Sequence, residues 1–243
     1  MSITITAATS RRVAAQLWRD PGTLALLLVV PAVLMALVRF LFTDAVFDRL
    51  GASLVGVFPF TIMFAVTAVT MLRERTGGTL ERLLAMPAGR LDLLAGYAVT
   101  FAGIGLLQAG LLVTLSIGPL GLDLPGGTGL LIVIAVLDGL LGMALGLFVS
   151  VFARTEFQVG QLMPAFVLPQ LLLSGVFGPR SDMAAPLRWI SDALPLTYAV
   201  DAGRRVTEDE GLTGLMVRDL AVLAGASVIA LVAGAATLRR QTW

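Results

Sequence analysis

Residues 72–92 read LRERTGGTLERLLAMPAGRLD, and the reading of this stretch decides the fold. It is the most charged run in the first half of an apolar chain, with long hydrophobic segments on both sides. It opens on Arg73-Glu74-Arg75, turns at Gly77-Gly78 and restarts at Thr79 as a short helix. Leu80, Leu83 and Leu84 share one face of that helix at i, i+3, i+4 spacing. Pro87 and Gly89 close it. A loop that only joined two membrane spans needs no amphipathic helix. A loop that presses on something in the cytoplasm does.

The flanks are membrane spans because the composition allows little else. Of 243 residues, 57% are hydrophobic and 14% charged, against about a quarter charged in soluble domains. Mean hydropathy is +0.92. The chain reads as an all-α integral membrane protein in a single membrane domain. A net charge of +1 gives no reason to expect nucleic acid as a partner. All 17 basic residues are arginine, and the chain has no lysine, cysteine or histidine. A disulfide framework and a Ser-His or Cys-His nucleophile are therefore excluded, and most zinc sites with them. A Walker A loop needs its lysine, so ATP is not bound here in that way.

Working outward, six spans are expected at about 22–42, 51–71, 93–117, 130–152, 157–176 and 215–238, each able to cross about 30 Å of hydrocarbon. The first is a span rather than a signal peptide. Its apolar run exceeds a typical signal core, and Arg39-Phe40 stands where a small-residue cleavage site would be. Arg39 is expected to snorkel outward. Asp44, Asp48 and Arg49 mark a short loop, and Arg154-Thr155-Glu156 a tight polar turn. Pro164 and Pro169 predict a kinked or broken fifth span. Ahead of the first span, Thr9 or Ser10 can cap a helix running to Asp20. Val13, Ala14, Leu17 and Trp18 share one face of it, opposite Arg11, Arg12, Gln16 and Arg19. This predicts an interfacial helix with Trp18 at headgroup level. Residues 177–216 hold apolar pieces too short to span, broken by charges and by Pro179, Pro186 and Pro195. They predict short interfacial or re-entrant helices.

Six spans put both termini on one side. That side carries ten arginines: Arg11, Arg12, Arg19, Arg73, Arg75, Arg82, Arg90, Arg154, Arg239 and Arg240. The other carries six: Arg49, Arg180, Arg188, Arg204, Arg205 and Arg218. The excess predicts cytoplasmic termini and a cytoplasmic 72–92 loop.

Asp138 is the one acid well inside an expected span. It is a functional candidate, or else a buried carboxyl, neutral or hydrogen-bonded to a neighbour such as Gln108. Gly142 and Gly146 form a GxxxG, and Ala226, Ala230 and Gly234 repeat small residues every fourth position. Both let helices approach closely, within one subunit or across a dimer seam. Phe58, Phe60 and Phe64 line the second expected span, and Gln158, Gln161 and Gln170 the fifth. The phenylalanines line an apolar substrate path, face lipid or pack the core, and the glutamines hydrogen-bond between helices or line a cavity.

Three stretches together resemble the permeases of type-2 ATP-binding-cassette exporters, the drug-resistance, daunorubicin-type branch. The first is Arg73-Glu74-Arg75 followed by Gly78-Thr79-Leu80-Glu81-Arg82-Leu83-Leu84 and Pro87. The second is Ala153-Arg154-Thr155-Glu156-Phe157-Gln158 with Gln161-Leu162-Met163-Pro164. The third runs from Leu173-Ser174-Gly175-Val176-Phe177, through Leu187-Arg188-Trp189-Ile190-Ser191, to Pro195-Leu196-Thr197-Tyr198 and Ala202. The chain departs from the family pattern at Ala184-Ala185 and at Gly178-Pro179-Arg180.

The resemblance implies a permease without its own ATPase, paired with a second permease chain, most simply a copy of itself. It implies docking on a separate nucleotide-binding subunit that holds ATP and Mg; no cofactor is expected in this chain. The helix from Thr79 to Met86 would be the coupling helix, with Leu80, Leu83 and Leu84 in the partner's groove. Arg73, Glu74, Arg75, Glu81 and Arg82 would pair with that partner or with the N-terminal interfacial helix. The cargo implied is amphipathic: drugs, lipids or lipid-like compounds. A membrane anchor without a transport path remains open beside this reading. A secondary carrier would need more intramembrane charges than Asp138.

Overall fold

Two helices form the centre of the molecule, and glycine lets them touch. In the computed structural model the described residues are 3–78, 90–124, 127–208 and 212–237. Helix α3 (Asp44–Thr76) and helix α5 (Thr128–Val149) make the most extensive helix pair. A methyl group on Gly142 would overlap the Phe60 carbonyl, and one on Gly146 the Phe64 carbonyl. Gly139 faces the Pro59 and Met63 side chains. The GxxxG is thus used within the chain. In lipid, helix association rests on this close packing rather than on the hydrophobic effect.

The other elements surround this pair. Helix α1 (Ile3–Trp18) lies mainly on α4 (Arg90–Ile117). Helix α2 (Pro21–Leu41) packs on α3 and α4, and α6 (Glu156–Leu173) on α3. Two shorter helices, α7 (Ala185–Ala193) and α8 (Pro195–Thr207), precede α9 (Gly214–Thr237). Helix α9 packs on α5 and α8, and a side chain at Gly234 would reach the Phe148 backbone at 3.8 Å. The small-residue stripe of α9 is therefore also used internally, at least at this end. No strand occurs among the described residues.

Among the described residues five helices are long and apolar enough to cross a membrane: α2, α3, α4 from Ala95, α5 with its 3-10 extension to Phe152, and α9. The protein is a multi-pass membrane protein. The fifth expected span falls on α6, which is 18 residues long and not among those five. Its three glutamines and two prolines dilute its apolar content. It is neither broken nor interrupted at Pro164 or Pro169. At about 1.5 Å per residue it still extends about 27 Å.

Three other expectations change. The loop expected at Asp44–Arg49 is the first turn and a half of α3, with Thr43 as its extended N-cap and Asp44 favourably placed in the first turn. Helix α3 therefore reaches about 50 Å at 1.5 Å per residue, well beyond the hydrocarbon. Helix α1 begins at Ile3, so Thr9 and Ser10 are mid-helix residues rather than caps. Thr9 packs on Gly96, and Ser10 accepts a hydrogen bond from Thr100 Oγ1 at 3.0 Å. Arg39 does not simply snorkel. It donates to the Leu120 carbonyl at 2.8 Å, pairs with Asp44 at 2.7 Å and lies over the Phe47 ring.

The 177–216 segment contains the expected short helices. Helix α8 buries Leu196, Ala199, Val200 and Gly203, and a Cβ on Gly203 would meet the α3 backbone at Ala52 and Ser53. Helix α7 buries only Ser191 and leaves Trp189 and Ile190 exposed. Arg180 ties the two together through Asp192 at 2.8 Å and through Asp201.

Candidate functional site: the base of the charged loop

Helix α3 ends where the charged stretch turns. Gly77 is the C-cap, and its N–H bonds the Arg73 carbonyl at 2.9 Å. Gly78 follows with φ +69°, a left-handed conformation that glycine adopts without steric cost. The three residues just before this stop each hold a different neighbour. Arg73 makes a bidentate pair with Glu156 at the start of α6, at 2.7 and 3.2 Å. Glu74 accepts from Arg12 of α1 at 2.9 Å and from the Tyr97 hydroxyl of α4. Arg75 donates to the Ser150 carbonyl at the end of α5, at 2.6 Å. Five helices thus meet within one turn of α3.

The environments of these contacts differ. Glu74 is 7% exposed and Arg12 27%, so their charges are mostly withdrawn from water. Arg12 also donates to Tyr97 at 3.2 Å, which closes an Arg-Glu-Tyr triangle. The Arg73–Glu156 pair is more than half exposed on both sides. Its hydrogen bonds hold the Glu156 carboxyl below the ordinary carboxylate range.

Of the residues expected at the partner contact, Arg73, Glu74 and Arg75 are engaged within the chain. Glu74 takes the alternative of pairing with the N-terminal helix. Arg73 and Arg75 turn to Glu156 and Ser150 instead, because the long α3 delivers them beside the α5–α6 turn. Thr79, Leu80, Glu81, Arg82, Leu83 and Leu84 lie outside the described residues. In α1, Val13 and Leu17 are buried, while Arg11 and Trp18, and Arg19 just after the helix, are exposed. Arg12 leaves the expected polar face for Glu74.

The substrate-path residues separate. Phe60 and Phe64 are fully buried against α5, so the path expected along them is closed in this structure. Phe58 is half-buried against the same core. Gln158 belongs to the cap of α6: Thr155 Oγ1 accepts from its N–H at 3.3 Å, and its Oε1 accepts from the Arg154 N–H at 2.7 Å. This is a capping arrangement at the start of α6. Gln161 is exposed on α6. Asp138 is fully buried and faces Gly56, and neither carboxyl oxygen has a hydrogen-bond partner among the described residues. Gln108 is not its partner; its Nε2 donates to the Leu27 carbonyl at 2.5 Å.

Tyr97 and Ser150 were not legible as part of this junction. Tyr97 carried a signal, as one of only two tyrosines, close to a span end where an amphipathic ring with a hydroxyl needs a partner. Ser150 contributes only its carbonyl and carried none.

The ABC-2 type transporter family profile matches residues 5–207. The chain is similar to the linearmycin resistance permease protein LnrN of Bacillus subtilis, 28% identical over 184 residues, covering 71% of this chain and 48% of that protein. It is similar to the probable multidrug ABC transporter permease YbhS of Escherichia coli, 26% identical over 185 residues, covering 75% of this chain and 47% of that protein. It also resembles ABC transporter G family member 20 of Dictyostelium discoideum, 26% identical over 159 residues, 65% of this chain and 22% of that protein. The chain spans less than half the length of these relatives. With a profile match that runs from α1 to the end of α8, the chain belongs to the ABC-2 type transporter family.

Proposed function

We propose that this chain is the membrane permease subunit of an ATP-driven exporter of amphipathic molecules. A separate nucleotide-binding subunit holds Mg and ATP and docks on the 79–89 loop. The chain itself hydrolyses nothing; it lacks the lysine of a Walker A loop. Six spans in one membrane domain, α6 included, would bring both termini to one side of the plasma membrane, and the arginine excess supports the cytoplasmic side. A second copy of the chain completes the transporter.

One observation carries this reading. The three residues at the base of the loop each grip a different part of the bundle: α6, α1 with α4, and α5. A push on the loop is therefore delivered to five helices at once. Helix α3, about 50 Å long at 1.5 Å per residue, carries that displacement across the bilayer beside α5. A loop that merely linked two spans would not need to be rooted in this way.

The test is to replace Leu80, Leu83 and Leu84 together with serine. Insertion and melting temperature should stay unchanged, because the base of the loop is untouched. Co-purification with the nucleotide-binding subunit should fall at least about tenfold, and ATP-driven uptake into inverted vesicles with it. Undiminished uptake in the triple variant would remove the docking assignment.

A further inference from the structure

Between α1, the start of α2, the last third of α3 and the N-terminus of α6 lies a cleft of about 540 Å³. That volume falls in the range of sites for drug-sized ligands. Its two ends differ. Leu26, Ala65, Val66 and Val69 form an apolar wall. Asp20, Arg73, Glu74 and Glu156 stand toward the other end. From Ala65 to Arg73 along α3 is about 12 Å, so the change from apolar to charged occurs within the length of one amphipathic molecule.

The charges do not balance. Three carboxylates line the cleft against one guanidinium. Arg73 gives both of its bonds to Glu156, and Glu74 is occupied by Arg12 and Tyr97. Asp20 remains. Its oxygens accept from the Thr23 N–H at 3.1 Å and the Thr23 hydroxyl at 2.7 Å. These bonds cap α2 and, with a smaller contribution from the charge of Arg73, hold the carboxyl below its ordinary range, yet Arg73 makes its close ion pair with Glu156 rather than with Asp20. The depth fits as well. Asp20 caps the first span, and Trp18, two residues earlier, is 75% exposed, as a headgroup-level anchor is.

We propose that this cleft binds lipophilic monocations from the adjoining membrane leaflet, with the cationic centre at Asp20 and the apolar body along Leu26, Val66 and Val69. The inference deepens the export reading by naming the charge class of its substrate, and its binding test needs neither ATP nor a partner.

The test uses the full-length chain in phosphatidylcholine nanodiscs and two ions of similar shape and opposite charge, tetraphenylphosphonium and tetraphenylborate. Tetraphenylphosphonium should bind saturably. Asp20→Asn keeps the α2 cap, since asparagine caps as well as aspartate, but removes the charge. It should weaken the cation at least about fivefold and leave the borate no weaker. Val69→Trp should fill the wall and weaken the cation with no change in melting temperature. Doping the discs with a cationic dialkyl lipid identifies the source. Displacement of the phosphonium supports a lipid cation as a natural occupant, and no displacement supports a compact one. Equal binding of both ions, or an Asp20→Asn variant with unchanged cation affinity, overturns the proposal. That failure would leave the loop-docking test untouched. Unimpaired transport in the triple serine variant alongside an intact Asp20 effect would overturn the docking assignment and keep the cleft.

Discussion

At the residue scale, Glu74 and Asp138 are both buried acids with opposite situations. Glu74 is satisfied by Arg12 and Tyr97. Removing it by Glu74→Ala leaves Arg12 without its counter-charge beside a half-dry surface. Breaking such a pair costs about 3 kcal/mol, the lower end for buried pairs because Arg12 keeps some water. The melting temperature in detergent should drop by about 6–12 °C. Arg73→Gln, at the exposed neighbouring pair, should cost no more than about 1 kcal/mol. Asp138 accepts no bond that a substitution could break. Asp138→Asn should therefore hold or raise the melting temperature. A drop beyond about 4 °C would reveal a donor the static packing does not contain.

At the element scale, the α3–α5 contact depends on the absence of side chains at two positions. A Cβ at Gly142 or Gly146 meets backbone, which cannot swing aside as a side chain can. Gly142→Leu should separate the central pair and abolish recovery of folded protein, measured as the monodisperse fraction in size-exclusion chromatography. Gly103→Leu is the control, because nothing lies within 4 Å of a Cβ there. Near the opposite end of α3, Arg180 fastens α7 to α8 through Asp192 and Asp201. Helix α7 buries only Ser191 and is otherwise held at its C-terminal end, where Ser191 Oγ donates to the Leu173 carbonyl at 2.7 Å and the Thr197 and Tyr198 hydroxyls donate to the Ser191 and Asp192 carbonyls at 2.8 and 2.7 Å. Arg180→Ala should raise hydrogen exchange in 185–193 and leave α8, seated on α3, as protected as before.

At the scale of the whole molecule, the arginine asymmetry sets the expected orientation. Green fluorescent protein fused after residue 243 should fluoresce in cells, and alkaline phosphatase fused there should be inactive. Acid should loosen the loop-base end of the bundle first. The Glu156 carboxyl is held below its unfolded value of 4.5 by Arg73. Its contribution is thus fully present above that value and is lost as pH falls through the lower folded value. Melting curves between pH 3 and 7 should show a decline below about pH 4.5 that is shallower in Arg73→Gln. The sequence by itself determined the membrane class, the apolar runs that become α2, α3, α4, α5 and α9, the two short helices before α9 and the stop at Gly77-Gly78. These follow from apolar run length and from residues with restricted backbones, both local properties. Only the tertiary structure decided which glycines touch which backbone, and that Phe60 and Phe64 pack fully buried against α5. It also decided that Arg12 and Tyr97 share Glu74, 62 and 23 residues away in sequence. Such partners are chosen by helix packing in three dimensions, and a charge at the end of a helix carries no mark of which neighbour will reach it.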